Sequence, residues 1–245
     1  MIWVNTADFM SSTFVLVHGG FHGGWCYHRV AEVLRSQGHR VFTPTLTGLG
    51  ERSHLAHLDI DCSLHIEDIV NVLRWEELTD VILCGHSYGG TVIAGVAERL
   101  PEHIAALAFI DASVPEPHRS TLDLLSEEEQ RALRALVVEH RGREVLMPFP
   151  AAAFNVNIDD RARVDRLLTP HPFKTLTERL DLTGAYEKIS KKLYIRATGW
   201  DGTHPQKSYE RVRTDPGWIC HEIPCGHDIM LDAPERLAEI LLEAL

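Results

Sequence analysis

The sequence feature that most constrains this chain is a serine flanked by glycines at the end of an apolar run. Residues 81–84 are apolar, and the letters that follow are Gly-His-Ser-Tyr-Gly-Gly, so Gly85 and Gly89 each stand two positions from Ser87. In the spacing G-x-S-x-G, a strand turns sharply into a helix and larger side chains would collide. Residues 91–100 then carry apolar side chains at helical spacing. We therefore predict a strand, a tight turn and a helix that leave the Ser87 hydroxyl exposed.

The size and charge of the chain narrow the classes of partner. With 245 residues, of which 44% are hydrophobic, the chain can bury one large core, with or without an insertion. The formal net charge of −11 argues against nucleic acid or an anionic membrane surface as a partner. No segment is long enough to cross a bilayer. We expect a neutral or apolar small molecule as the ligand. The sequence leaves the oligomeric state open, and a homodimer is compatible with it.

The cysteines and the N-terminus bear on the compartment. The five cysteines are an odd number, scattered and mostly within apolar runs, which is typical of reduced core thiols and favours a cytoplasmic protein. Residues 1–10 have neither the basic segment nor the long apolar core of a secretory signal. Because the first strand pattern begins only at Thr13, Met10 is a candidate for the functional start.

The remainder of the chain alternates between strand and helix patterns, which predicts an α/β fold. Continuous apolar runs are typical of strands buried on both faces of a parallel sheet. With crossover helices between them, six such strands form a doubly wound, mostly parallel sheet. The predicted strands are residues 13–18, 40–45, the run from 81, 104–110, 192–197 and 218–223.

One long segment interrupts the alternation. Pro115 and Pro117 open a stretch of charged helix patterns and proline turns that runs to about Leu182. We predict that residues 116–182 form an inserted helical cap, and that residues 1–115 and 183–245 form the core. Within the cap, a serine followed three residues later by a glutamate (Ser126 and Glu129) predicts a capping box at the start of a helix.

The predicted base for Ser87 is His227. A serine hydroxyl is a poor nucleophile at neutral pH, so it needs a base within hydrogen-bond reach and an acid that orients the base. His227 stands in Cys-Gly-His-Asp-Ile, between the last strand and the last helix. An imidazole there lies above the same edge of the sheet as Ser87.

Two aspartates are candidates for the acid. Asp201 follows the strand that precedes the strand of His227, which preserves the chain order serine, acid, histidine. Asp111 ends the strand directly after that of the serine, from which it could reach the same imidazole. The chain order favours Asp201, with Asp111 as the alternative. If neither aspartate is catalytic, Asp201 would form an Asx turn before Pro205, and Asp111 would cap the loop that follows its strand.

The same chemistry requires donors for a developing oxyanion but no cofactor. Backbone N–H groups are suited to this because they need no reorganisation when the charge appears. We predict that they come from Tyr88, directly after the nucleophile, and from Gly20, in the loop after the first strand. The spacings of the histidines do not match a metal motif, and there is no dinucleotide fingerprint. We therefore expect neither a metal nor a cofactor.

With these residues in view, the chain resembles the α/β-hydrolase superfamily from Phe14 to Leu242. The runs Val-Leu-Val-His-Gly-Gly, His-Gly-Gly-Trp, Gly-His-Ser-Tyr-Gly-Gly and Gly-His-Asp are similar to the branch that contains small methyl esterases and hydroxynitrile lyases. That resemblance implies a cofactor-free Ser–His–Asp site under a helical cap, with His22 and Trp25 near the substrate. In the esterases a proline follows the acid by four residues, as Pro205 follows Asp201, although one extra residue precedes the aspartate here.

The resemblance also separates the possible activities. The lyases of this branch have a lysine after the catalytic histidine and a threonine after the first-strand histidine, whereas this chain has Asp228 and Gly19. We therefore expect a carboxylesterase-type serine hydrolase acting on a small-molecule ester, with a carbamate or an amide as a related substrate. A hydroxynitrile lyase-like C–C lyase and a non-catalytic small-ligand receptor are the alternatives.

Overall fold

A computed structural model describes residues 11–245 of the chain, so the candidate start at Met10 lies outside the described residues. The strands are β1 (Thr13–Val17), β2 (Arg40–Phe42), β3 (Val81–His86), β4 (Ile104–Ile110), β5 (Val137–His140), β6 (Arg143–Leu146), β7 (His171–Pro172), β8 (Lys191–Ala197) and β9 (Ile219–Ile223). The helices are α1 (His28–Ser36), α2 (Cys62–Trp75), α3 (Gly89–Arg99), α4 (Glu127–Ala135), α5 (Ile158–Leu167), α6 (Lys174–Thr177), α7 (Thr203–Val212), α8 (Ile229–Asp232) and α9 (Pro234–Leu242).

Six strands form one parallel sheet in the order β2-β1-β3-β4-β8-β9, which confirms the predicted doubly wound α/β fold. The register brings the ends of the central strands together. Val17 is opposite Gly85, and His86 is opposite Ile110. The residues that follow β1, β3 and β4 therefore leave the sheet at one edge, where ligands bind in open parallel sheets.

Both faces of the sheet are covered, as the continuous apolar strands require. On one face, α1 packs against α9, and their side chains Val30, Leu34 and Leu237 share a core with Phe14 of β1. On the other face, α2 packs against α3 in a second core. All five residues of β1 and all six of β3 are buried. No helix within residues 11–245 is long and apolar enough to cross a membrane.

The segment between β4 and β8 contains strands as well as the helices expected there. The capping box at Ser126 and Glu129 is present at the start of α4. Beyond α4 the chain forms an antiparallel sheet in the order β5-β6-β7. A turn at Arg141 and Gly142, both with positive φ angles, connects β5 to β6. Helical spacing is easily read into such short runs, but β-branched residues and a tight turn favour a hairpin.

Candidate active site

The turn after β3 has the geometry that its glycines predict. Ser87 has a φ angle of +53°, in the left-handed region that a non-glycine residue rarely adopts. A Cβ atom at Gly85 would lie 2.5 Å from the carbonyl oxygen of Gly89, and one at Gly89 would lie 2.7 Å from the carbonyl oxygen of Val17. Side chains at these two positions would therefore force the turn apart, which explains why the serine is held between glycines.

Ser87 opens into a cavity of about 200 Å³ between the edge of the main sheet and the segment that follows β4. The core contributes Gly20, Ser87, Tyr88 and His227 to its wall. The segment between β4 and β8 contributes mainly apolar side chains, which are Leu122, Leu125, Leu133, Leu146, Phe149, Phe154 and Leu176. Polar groups are thus concentrated at one end of an apolar chamber, as is usual for small-molecule sites.

The carboxylate that contacts His227 is that of Asp111, and this corrects the preference for Asp201. Asp111 Oδ2 lies 2.7 Å from His227 Nδ1, and both residues are buried. Asp201 is exposed, in the loop before α7. The physical reason is the distance from the strand end: Asp111 comes directly after β4, whereas Asp201 comes four residues after the end of β8. The loop after β8 instead places Trp200 against the His227 ring, at a centroid distance of 4.1 Å.

The other oxygen of Asp111 is held by groups from β8. Asp111 Oδ1 accepts hydrogen bonds from Arg196 Nη1 at 2.5 Å and from the Ala197 amide at 3.1 Å. Arg196 is only 3% exposed, so its charge is neutralised by the aspartate within the protein. The sequence analysis did not identify Arg196. The available signal was an arginine within an otherwise apolar strand pattern, since buried charges are almost always paired.

The backbone of His227 is fixed from two directions. Its amide donates to the carbonyl of Phe154, in the segment that follows β4, at 2.9 Å. Its carbonyl accepts from Nε2 of His86, the residue before the nucleophile, at 3.0 Å. The imidazole is therefore held by its backbone as well as by Asp111.

The predicted oxyanion donors, Gly20 and Tyr88, both line the cavity. Within residues 11–245, neither amide donates to a backbone carbonyl. His18 anchors the loop that carries Gly20: its Nδ1 donates to the Gly19 carbonyl at 2.8 Å, and its Nε2 accepts from the Leu46 amide at 3.0 Å. Burial lowers the pKa of His18 to about 3, so the ring stays neutral. Its two hydrogen bonds hold the loop of Gly20 in place.

His22 lines the cavity, but both of its ring nitrogens are engaged elsewhere. Nδ1 lies 2.8 Å from the Gly20 carbonyl and Nε2 lies 3.0 Å from Asp228 Oδ2. Burial opposes a charge on His22, but the charge and hydrogen bond of Asp228 outweigh it and raise the pKa. Burial likewise opposes the charge on Asp228, and His22 nevertheless keeps the pKa of that carboxyl well below its ordinary value. The pair is an internal ion pair behind the site, and His22 therefore does not offer a free polar atom to a substrate.

Trp25, the other residue expected near the substrate, is not among the residues that line the cavity. Its ring stacks on His22, with centroids 5.4 Å apart and an angle of 26° between the planes. The Arg163 guanidinium lies over the same indole, 5.2 Å from its centroid. Trp25 thus packs on His22, which itself lines the cavity, and we assign Trp25 a packing role.

Many histidines are buried around this cavity, yet they do not form a metal site. Among the described residues, no group of three or more histidine, cysteine or carboxylate side chains is arranged to hold an ion. Each of His18, His22, His86 and His227 instead has at least one ring nitrogen in a hydrogen bond given above.

Comparison with known proteins agrees with this fold. The sequence model of the Alpha/beta hydrolase family matches residues 14–240. A carbendazim hydrolyzing esterase from Nocardioides sp. (strain SG-4G) is 41% identical over 239 residues, covering 94% of this chain and 98% of that protein. Methylesterase 10 from Arabidopsis thaliana is 34% identical, covering 94% and 90% of the two chains. An extracellular α/β-hydrolase from a Paenibacillus species has a structure with a TM-score of 0.79 at 25% identity, covering 95% of this chain and 98% of that one.

A parallel sheet of this order, with a serine at a strained turn and a buried histidine–aspartate pair beside it, defines a serine hydrolase. The chain belongs to the Alpha/beta hydrolase family. The resemblance to the branch with methyl esterases is confirmed, and so is the prediction of a carboxylesterase-type enzyme that acts on small-molecule esters.

Proposed function

We propose that Ser87, His227 and Asp111 form the catalytic triad of this esterase, and that the amides of Gly20 and Tyr88 form its oxyanion hole. The observation that carries the proposal is the 2.7 Å contact between His227 and Asp111 beside a serine in a strained turn. A base oriented in this way, with Nδ1–H donated to a carboxylate, presents Nε2 as the proton acceptor.

The first half of the reaction forms an acyl-enzyme. Ser87 Oγ attacks the carbonyl carbon while His227 Nε2 takes the hydroxyl proton, and Asp111 stabilises the resulting imidazolium. The carbonyl electrons move onto its oxygen, which accepts hydrogen bonds from Gly20 and Tyr88. When the tetrahedral intermediate collapses, the bond to the alcohol oxygen breaks, and His227 returns its proton to the leaving alcohol.

The second half releases the acid. Water enters the place of the alcohol, His227 takes a proton from it, and the hydroxide adds to the carbonyl carbon of the acylated Ser87. Collapse of this second intermediate breaks the bond to Ser87 Oγ, which recovers its proton from His227. No step requires a cofactor.

The apolar chamber supports a substrate with an apolar acyl group and a small alcohol. The walls contributed by residues 116–182, which we propose as the cap, carry leucine and phenylalanine side chains. The Nocardioides relative is named for hydrolysing carbendazim and the Arabidopsis relative is named a methylesterase. We therefore propose methyl esters of apolar acids, and methyl carbamates with an apolar group on nitrogen, as the substrate class.

Ser87→Ala tests the proposal directly. We expect this variant to lose on the order of 10⁴-fold or more in kcat for methyl phenylacetate and for carbendazim while it keeps the thermal unfolding midpoint of the parent. Mass spectrometry of the parent after treatment with an organophosphate should find the adduct on Ser87. Labelling at another residue, or unchanged activity of Ser87→Ala, would overturn the assignment.

The same preparation tests the alternative activities. A hydroxynitrile lyase would release cyanide from mandelonitrile, and the site disfavours this because Asp228, at the position of the lyases' lysine, is a buried anion paired with His22. A receptor without turnover would show at most one equivalent of product from an activated aryl ester, whereas an enzyme continues after the first equivalent.

A further inference from the structure

The loop after β8 places an aromatic ring over the proposed catalytic base. The centroids of the Trp200 and His227 rings are 4.1 Å apart, with an angle of 33° between the planes. Rings that meet edge to face have nearly perpendicular planes and centroids farther apart, so here the imidazole lies over the face of the indole. That face carries the negative part of the ring quadrupole, which attracts a cation within about 6 Å of the centroid.

Several contacts hold the half-buried indole in this position. Its Nε1 donates to the carbonyl of Ala153, in the segment between β4 and β8, at 2.8 Å. The Trp200 carbonyl accepts from Nη2 of Arg196 at 2.8 Å, and Arg196 also binds Asp111. A Cβ atom at Gly202 would overlap the six-membered ring of Trp200, so the glycine lets the loop pass close to the indole. The arginine that holds the proposed acid therefore also fixes the residue that covers the base.

The carboxylates near His227 are already paired with other cations. Asp111 is bound by Arg196, and Asp228, the next residue in the chain, is paired with His22. Each of these pairs is neutral as a whole. A proton that moves to His227 therefore adds a net positive charge to a buried site, where an uncompensated charge is costly.

Trp200 is the neighbouring ring best suited to compensate that charge. The Phe154 ring is farther from His227, at a centroid distance of 5.7 Å. The His86 ring is 4.5 Å away, but it is an imidazole that burial keeps neutral by lowering its pKa well below the ordinary value. Indole attracts cations more strongly than the rings of phenylalanine or tyrosine do.

We propose that Trp200 is a positioning residue whose indole face stabilises the imidazolium of His227 in the transition state. This inference rests on the proposed serine esterase function and adds a component to that site. The loop from which the sequence analysis expected the acid would then support the base with an indole instead. Because the imidazolium forms only as Ser87 gives up its proton, the indole favours the transition state over the bound substrate.

Tryptophans with ring fluorines test the electrostatic part of the proposal. Fluorine withdraws electrons from the ring face and weakens its attraction for a cation, while the shape of the side chain changes little. With methyl phenylacetate as the substrate, we expect kcat to fall by about threefold when every tryptophan carries two fluorines, and by less with one. The matched control is the same labelling of Trp200→Phe, which keeps four of the five tryptophans and should show no effect of fluorine.

Trp200→Leu removes the aromatic face altogether. We expect kcat and kcat/KM for methyl phenylacetate to fall together by about tenfold, because the lost interaction is made only in the transition state. Trp200→Phe keeps a weaker aromatic face and should lose only about threefold. Trp75→Leu is the control for loss of an indole, since Trp75 is 84% exposed, and it should match the parent.

A binding measurement separates this role from packing. Calorimetric binding of methyl phenylacetate to Ser87→Ala involves no proton transfer to His227. Adding Trp200→Leu to Ser87→Ala should therefore leave the Kd unchanged. A role in shaping the cavity would instead weaken this binding.

The outcomes distinguish this inference from the proposed function. If fluorination leaves the kcat of the parent unchanged, Trp200 only packs against His227, and the inference is overturned even where Trp200→Leu is slow or folds poorly. Binding to Ser87→Ala that weakens as much as kcat/KM falls would overturn it as well. Both results leave Ser87 as the nucleophile. If Ser87→Ala retains full activity, the proposed function itself is wrong, and this inference falls with it.

Discussion

Nδ1 of His227 and Oδ2 of Asp111 lie 2.7 Å apart, although 116 positions separate the two residues in the chain. The carboxylate at the imidazole thus follows the strand beside that of Ser87, and the loop after β8 places Trp200 against the imidazole. The two aspartates that the sequence offers therefore have different environments: Asp111 is buried and Asp201 is exposed.

A pair of single substitutions tests which aspartate is the acid. Asp111→Asn removes the carboxylate that orients His227 and stabilises its imidazolium, so we expect kcat to fall by about 10³ to 10⁴-fold with little change in KM. Asp201→Asn should remain within about threefold of the parent, because an exposed side chain away from the imidazole affects neither step. Steady-state kinetics, at a temperature below the unfolding midpoint of each variant, measures kcat and KM. A large loss of kcat in Asp201→Asn, together with a nearly unchanged kcat in Asp111→Asn, would reverse the assignment.

Arg196 offers a test of the ion pair behind the acid. Arg196→Met leaves Asp111 buried with an uncompensated charge, and we expect the free energy of unfolding to fall by about 3–5 kcal/mol. The control is Arg236→Met, which removes the exposed pair with Glu239 and should cost no more than about 1 kcal/mol. Urea denaturation of both variants measures the difference. Equal losses in the two variants would mean that burial of the Asp111 pair has no special energetic weight.

The ion pair between His22 and Asp228 makes a pH-dependent contribution to stability. The raised pKa of His22 means that its contribution is complete below its ordinary value of 6.5 and is lost as the pH rises through the raised pKa. The lowered pKa of Asp228 means that its contribution is present above its ordinary value of 3.8 and is lost as the pH falls further. The pair is therefore fully formed between about pH 4 and pH 6.5.

Asp228→Asn should consequently lose more stability at pH 6 than at pH 9. We expect the free energy of unfolding at pH 6 to fall by about 3–5 kcal/mol relative to the parent, with a smaller gap at pH 9, because the charge on His22 is lost as the pH rises through its raised pKa. Chemical denaturation at the two pH values measures the gap. Asp201→Asn serves as the control, with stability near that of the parent at each pH. A gap that widened from pH 6 to pH 9 would contradict the charged pair.

The inserted segment should decide the size of the acyl group that the enzyme accepts. Phe149 lines the cavity, and Phe149→Ala enlarges it, so we expect methyl esters with a bulky acyl group to gain about tenfold in kcat/KM relative to methyl acetate. Ile158→Ala is the matched control, because Ile158 is also in the segment but is 72% exposed and outside the cavity. If Phe149→Ala keeps the parent's ranking of esters, the segment covers the site without selecting the substrate.

The features that could be predicted from sequence are those encoded by neighbouring residues. The turn at Ser87 depends on Gly85 and Gly89, so a short motif was sufficient to predict it. The six strands were predicted because their runs are continuously apolar, and the structure confirms all six. The capping box at the start of α4 is likewise a local pattern, and it is present.

The features that could not be predicted depend on distances across the fold. Asp111 and Asp201 both follow a strand, and only the course of the chain after β4 and after β8 shows which carboxylate contacts His227. Arg196 is recognisable as a partner only after Asp111 is placed. The role of His22 likewise depends on which atoms surround its ring, and a pattern of residue types does not contain that information.

The hydrogen bond from the His227 amide to the Phe154 carbonyl has a consequence for engineering. It crosses from the loop after β9 to the segment between β4 and β8, so the proposed base is partly supported by the same segment that lines the cavity. A chimera that carries the insertion of another hydrolase must supply a carbonyl at this point, or the imidazole will lose one of its backbone restraints. Residues around Phe154 should accordingly be exchanged together with the loop of His227, and libraries that diversify the insertion should leave that backbone contact intact.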